Sequence, residues 1–151
     1  MQTVTFIVYG EQKSAGSKKA YPFRKPGGGL GVRVVHDNTQ TRSWMQEVAH
    51  AAQLAMENRL FVGPVSLTIV FERPRPKGHF GKKGLNGKGK ATPYPVQRPD
   101  TVKLTRAVED ALTRVVWRDD SQVVIHDLRK VWSEHGYRTM VTVREVVDEP
   151  Y

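Results

Sequence analysis

The chain of 151 residues contains no cysteine. That excludes disulfides, thiolate nucleophiles and cysteine-bound zinc. It also lacks any apolar run near the ~20 residues that span a bilayer. The N-terminus, MQTVTFIVYGEQ, has neither the basic start nor the long apolar core of a signal peptide, so a cytoplasmic protein with no membrane partner is expected. No internal repeat breaks the chain into units, and its length suits one domain with its own core. Acid is the other shortage: 15 Asp plus Glu stand against 24 Lys plus Arg, a formal net charge of +9. The deficit is local. Gln12 to His36 holds six basic residues and no acid, and Arg73 to Pro99 holds eight and no acid. A solvated loop explains either segment alone. Two in one small domain point to a shared basic surface for a polyanion, nucleic acid being the commonest. The candidate phosphate contacts are Lys18, Lys19, Arg24 and Lys25, then Arg75, Lys77, Lys82, Lys83, Lys88, Lys90 and Arg98, with Lys103 beyond them.

What is present gives an α+β outline. Gln2 to Tyr9 alternates with Val4, Phe6 and Val8 on one face and predicts a strand. A flexible Gly- and Lys-rich loop follows from Gly10 to Gly31, then a short strand from Val32 to His36. Asn38 or Thr39 caps a helix running to about Asn58, with Trp44, Val48, Ala51, Ala52 and Ala55 at helical spacing. After Gly63-Pro64, VSLTIVFE alternates strictly, with Val65, Leu67, Ile69 and Phe71 inward. Arg73 to Pro99 reads as a long Pro- and Gly-punctuated loop, and loops beyond ~15 residues in a compact domain are usually functional or disordered. Strands are expected in QVVIHDLRKVWSE and YRTMVTVREV, with a turn at His135-Gly136.

Between them lies RPDTVKLTRAVEDALTRVVWRDDSQVV, Arg98 to Val124. Pro99 and Asp100 are helix-start signals, and a carboxylate suits the positive end of the helix dipole. Leu104, Ala107, Val108, Ala111, Leu112 and Val115 make one apolar stripe, while Lys103, Arg106 and Asp110 occupy a flank and Val102 lies opposite the stripe. A well-capped amphipathic helix accounts for this much. Asp119 and Asp120 remain. In a strand their side chains point to opposite faces, so one enters a site unless the backbone turns. A surface turn is the plain explanation of such a pair. A carboxylate at a helix start, another at a strand start, a cation on the same helix and basic segments nearby suit metal-assisted phosphodiester cleavage, in which Lys or Arg offsets the extra charge of the transition state.

This stretch resembles the RusA family of Holliday junction resolvases, phage and prophage endonucleases whose motif reads approximately P-D-x-D-N-L-x-K-x-x-x-D-A-L, then D-D-x-Q-V. The matching residues are Pro99, Asp100, Leu104, Arg106, Asp110, Ala111 and Leu112, then Asp119, Asp120, Gln122 and Val123. The order of elements is also similar to that family's. The resemblance implies an α+β domain with a mixed β-sheet packed with two main helices, spanning residues 1–151. It further implies a homodimeric, Mg²⁺-dependent enzyme, with Mn²⁺ a possible substitute, that binds branched DNA, four-way junctions above all, and makes two symmetric nicks in the host cytoplasm if phage-encoded. By position, Asp100 and Asp120 are metal ligands, Asp119 is a further candidate, and Arg106 stands where the family has an essential lysine. Asp110 is read as structural or as a partner for Arg106 or Arg114.

The sequence departs from the family at two positions. Val102 replaces the second aspartate, and Lys103 the asparagine. The site therefore keeps one carboxylate fewer, recruits Asp119 or Glu109, or is inactive. The last case gives the alternative function, a branched-DNA-binding protein that no longer cuts. A basic protein binding RNA or duplex DNA without preference for branches is a third reading. Among the remaining residues, the five histidines show no metal-ligand spacing. His126 is a packed or surface histidine or else a neighbour of the site, Trp117 is favoured as a core residue over one that buttresses Asp120 or stacks on a base, and Phe80 and Tyr94 are aromatics within a basic segment, where such side chains can wedge into a branch point.

Overall fold

The computed structural model describes residues 2–14, 18–36 and 39–148, without the side chains of 18–21 and 34–36. Strand β1 (Thr3–Tyr9) follows the expected alternation, with Phe6 and Val8 buried. Strands β2 (Lys18–Arg24) and β3 (Leu30–His36) come next, then helix α1 (Thr39–Met56) and strand β4 (Val65–Pro74). A short insert carries β5 (Phe80–Gly81), β6 (Gly84–Leu85) and helix α2 (Gly87–Ala91). Helix α3 (Thr101–Leu112) and strands β7 (Val123–Ser133) and β8 (Arg138–Glu145) complete the chain.

The main sheet has the order β1-β8-β4-β7, in which β8 is antiparallel to both its neighbours and β4 is parallel to β7. It is a mixed sheet. A parallel pair needs a crossover, and the segment containing α3 makes it. Val65, Leu67, Ile69 and Phe71 of β4 are fully buried, as their alternation requires. Their face is covered by α1, through Trp44, Val48, Ala52 and Met56, and by α3, through Leu104, Ala107, Val108, Ala111 and Leu112, all in one core cluster with Trp117. Among the described residues, no helix is long and apolar enough to cross a membrane.

Several boundaries differ from the sequence reading. The stretch read as a flexible loop, Gly10 to Gly31, contains β2, which pairs with β3 in a two-stranded ribbon from Lys18↔His36 to Arg24↔Leu30. Among the described side chains of the ribbon, the large apolar ones are exposed, Phe23, Leu30 and Val32 alike, and impose no alternation. Its turn uses positive φ at Gly27, Gly28 and Gly29, a conformation that glycine adopts without strain. Helix α1 stops at Met56 because Glu57 and Asn58 take left-handed backbone conformations, and the alternative cap Asn38 lies outside the described residues. The expected loop from Arg73 to Pro99 is largely built. Strand β4 runs on to Pro74, and a 3-10 turn at Lys77–His79 leads into the β5–β6 hairpin and α2. This lobe is held by polar bonds that leave no hydrophobic period in the sequence. Asn86 accepts from Gly89 N (2.9 Å) and donates to Gly78 O (2.7 Å), and Arg75 donates to Gly89 O (2.9 Å) and Thr92 O (3.2 Å). Asp120–Gln122 form a 3-10 turn, so β7 begins at Val123.

Candidate active site

Helix α3 runs antiparallel to β7, and two contacts fix its course. Near its start, Lys130 Nζ donates to Gln97 O (2.7 Å) and Pro99 O (3.0 Å). Further along, His126 Nε2 meets Glu109 Oε1 at 2.5 Å. The polar side chains of the motif fall into two groups, one at each end of the helix.

At the first end, Asp100 is the N-cap by backbone, with its carbonyl accepting from Leu104 N (3.0 Å), but its side chain makes no cap bond. The exposed carboxylate instead pairs with Lys103 Nζ at 3.8 Å. Burial pushes the Lys130 ammonium below its ordinary value, Arg73 adds to the effect, and the charge of Asp100 opposes it. Val102 projects to solvent at 63% exposure, as its place opposite the apolar stripe requires.

The second end is a cleft of about 330 Å³ lined by Asp110, Thr113, Arg114, Arg118, Asp119 and Asp120. The two aspartates do not alternate along a strand, because the backbone turns at this point. Asp119 caps the 3-10 turn by accepting from Ser121 N (2.8 Å). That backbone bond, followed by one from the Ser121 hydroxyl, holds the Asp119 carboxyl below its usual value. Asp120 is the first residue of the turn and is exposed. Gln122 anchors the turn. Its Oε1 accepts from Arg118 N (2.9 Å) and Asp119 N (3.1 Å), and its Nε2 donates to Phe61 O (2.9 Å) and Gly63 O (3.0 Å), just ahead of β4.

The single chain thus brings Asp110, Asp119 and Asp120 to one cleft and leaves Asp100 elsewhere. Ten residues of helix at 1.5 Å each separate Asp100 from Asp110 by ~15 Å. Arg106 is exposed on α3 between the two ends. Among the described residues, no three His, Asp or Glu side chains group as a metal site. Of the basic candidates, Arg24 and Lys25 are exposed at the ribbon tip, Lys77, Lys82, Lys83, Lys88 and Lys90 on the lobe, and Arg98 and Lys103 beside Asp100. The side chains of Lys18 and Lys19 lie outside the described residues. Arg75 is turned into the lobe. Gln122 and Lys130 were not singled out from sequence. Gln122 stood in the motif without a role, and the signal for Lys130 was its even spacing from His126 on the α3-facing side of β7.

The family Endodeoxyribonuclease RusA matches residues 16–144 of this sequence. The chain belongs to the RusA family. It is also 32% identical to the uncharacterized protein YqaN of Bacillus subtilis (strain 168) over 149 residues, 97% of this chain and 99% of that protein. RusA membership implies a Holliday junction endodeoxyribonuclease that depends on a divalent metal. The donors suit such an ion. Carboxylate oxygens are hard ligands, and Mg²⁺ is commonly held by one or two carboxylates while water and substrate phosphates complete its shell. The start of α3 offers one such carboxylate in Asp100, and the cleft at its other end offers Asp110, Asp119 and Asp120.

Proposed function

We propose that two copies of this chain resolve four-way DNA junctions by paired, Mg²⁺-dependent phosphodiester hydrolysis in the cytoplasm, with Mn²⁺ able to replace Mg²⁺. The observation that carries this reading is the division of the motif between the two ends of α3. Neither end is sufficient alone. Strand β7, at the sheet edge beneath α3, supports a way to unite them. Its Asp127 and Arg129 are exposed and two residues apart. Antiparallel pairing of two β7 strands about Leu128 would set each Asp127 opposite the Arg129 of the partner subunit, satisfying an edge that natural sheets must otherwise protect. The same twofold carries the Asp100 end of one copy toward the Asp120 end of the other, and two such sites match two symmetric nicks.

Asp100 and Asp120 would hold the ion, with Asp119 keeping the Asp120 turn in shape. The chemistry such an ion would supply there is Lewis acidity toward a water nucleophile and toward charge on the leaving oxygen. Arg106, between the two ends, offsets the charge of the phosphate as the water oxygen bonds to phosphorus, losing a proton, and the P–O ester bond breaks, its sugar oxygen leaving to gain one. The exposed lysines of the lobe and ribbon hold the arms of the junction. Val102 favours a second reading, a junction-binding protein that has lost the nuclease.

A labelled four-way junction with and without Mg²⁺ separates these. The wild-type protein is expected to make symmetric nicks, and Asp120→Asn to lose more than the roughly 10–100-fold that removal of an outer-shell partner costs. Equal cleavage by both sinks the assignment. Mixing inactive Asp100→Asn with inactive Asp120→Asn should restore single nicks, because one site of each mixed dimer is then intact. A site contained in one chain gives no rescue.

A further inference from the structure

The lobe between β4 and α3 carries a cavity that the nuclease reading does not use. It measures about 390 Å³ and opens between the β5–β6 hairpin and the end of β7. Phe80 and Leu85 form one side, Trp132 the other, and Glu134 stands at the rim. Phe80 is 51% exposed and Leu85 37%, an unusual outlay of apolar surface on so polar a lobe. Trp132 is fixed in place. Its Nε1 donates to Thr92 O (2.9 Å), Arg75 lies 5.3 Å from its ring centre, and the buried His79 meets it edge-on at 5.5 Å. Around the cavity the lobe presents Lys77, Lys82, Lys83, Lys88 and Lys90, all exposed, and no acid lies between Glu72 and Asp100.

We infer that this cavity receives one unpaired nucleobase of a DNA strand whose phosphates run along the lobe lysines. Aromatic and apolar walls beside a cationic track are what single-stranded nucleic acid requires: a ring stacks on the aromatics and the backbone follows the charge. A base taken out of its stack is then read on its hydrogen-bonding edge. Glu134 supplies an acceptor there. A carboxylate accepts from the exocyclic amino group of cytosine, which thymine lacks, so cytosine is preferred over thymine. The inference deepens the junction-cleavage reading by giving the enzyme a means to choose where along a branch it settles, and it needs no catalysis to be tested.

Binding is measured by anisotropy, without Mg²⁺, on a paired duplex and on duplexes with one unpaired cytosine or one unpaired thymine. The wild-type protein should bind the unpaired cytosine tightest. Phe80→Ala should lose about tenfold on that substrate and leave the paired duplex unchanged, and Glu134→Gln should bind the cytosine and thymine substrates equally. Independently of any variant, 5-iodocytosine at the unpaired position should photocrosslink to Phe80 or Trp132. Equal binding of paired and unpaired substrates, parallel losses in Phe80→Ala, or crosslinks outside the cavity overturn the inference. Failure to nick while the base preference persists counts against the nuclease reading alone. Duplex binding without the preference counts against the cavity alone.

Discussion

Val102 sits at the second residue of α3, exposed and one turn before Arg106. Its side chain has no core to join, so the apolar choice there does not serve packing. An aspartate at this position gains from the helix dipole by about 0.3–1 kcal/mol and adds a carboxylate beside Asp100. Val102→Asp is therefore expected to raise Tm by about 1–3 °C and to lower the Mg²⁺ concentration needed for half-maximal cleavage severalfold. Thermal melts and a Mg²⁺ titration check the two effects separately. A higher Tm with unchanged metal dependence means that position 102 does not face the ion. Lys103 carries a charge unfavourable to this helix end, and its pairing with Asp100 at 3.8 Å offsets that.

At the scale of elements, the turn holding Asp119 and Asp120 depends on one side chain. Gln122 satisfies two donors of the turn with its oxygen and two carbonyls ahead of β4 with its nitrogen. Removing it leaves partly buried polar groups unpaired, at a cost of roughly 2–3 kcal/mol. Gln122→Ala should thus lower Tm by several degrees and reduce cleavage with it, and Gln122→Glu should fare no better, since a carboxylate would face the carbonyls of Phe61 and Gly63. Circular dichroism melts alongside the nicking assay test both. Elements with a buried face were legible in the sequence. The stripe of α1, that of α3 as far as Leu112 and the alternation of β1 and β4 appear where expected, because burial imposes their periods, whereas Val115, the last residue expected in the α3 stripe, lies beyond the end of the helix. Strand β3 was expected from Val32 to His36 and begins two residues earlier, whereas β2 and the β5–β6–α2 lobe were not legible, because polar cross-bonds such as those of Asn86 and Arg75 impose no period. The site was half legible. The family resemblance, not spacing alone, singled out Asp100, Arg106 and Asp120, and a linear motif does not tell that Asp100 lies at the start of α3 while Asp120 lies in the turn beyond its far end.

Across the whole molecule, the excess positive charge is concentrated on parts that project from the sheet-and-helix body. If ~6 basic side chains neutralise phosphates, log K for junction binding should fall against log salt with a slope of about −5. Replacing Lys88 and Lys90 together by alanine should make that slope shallower by about 2, at roughly 0.9 per contact, and titrations between low and moderate salt read it directly. An unchanged slope places the lobe off the DNA. The lobe's position has a further consequence. It is spliced into the crossover between β4 and α3, its internal bonds run from Arg75 to Thr92, and Trp132 of β7 anchors it to the sheet through Thr92 O. The strands on either side of the splice are already fixed by the sheet. A graft that exchanged residues 77–92 for a foreign hairpin would leave the aspartates where they are, so the reading head could be replaced while the blade is kept.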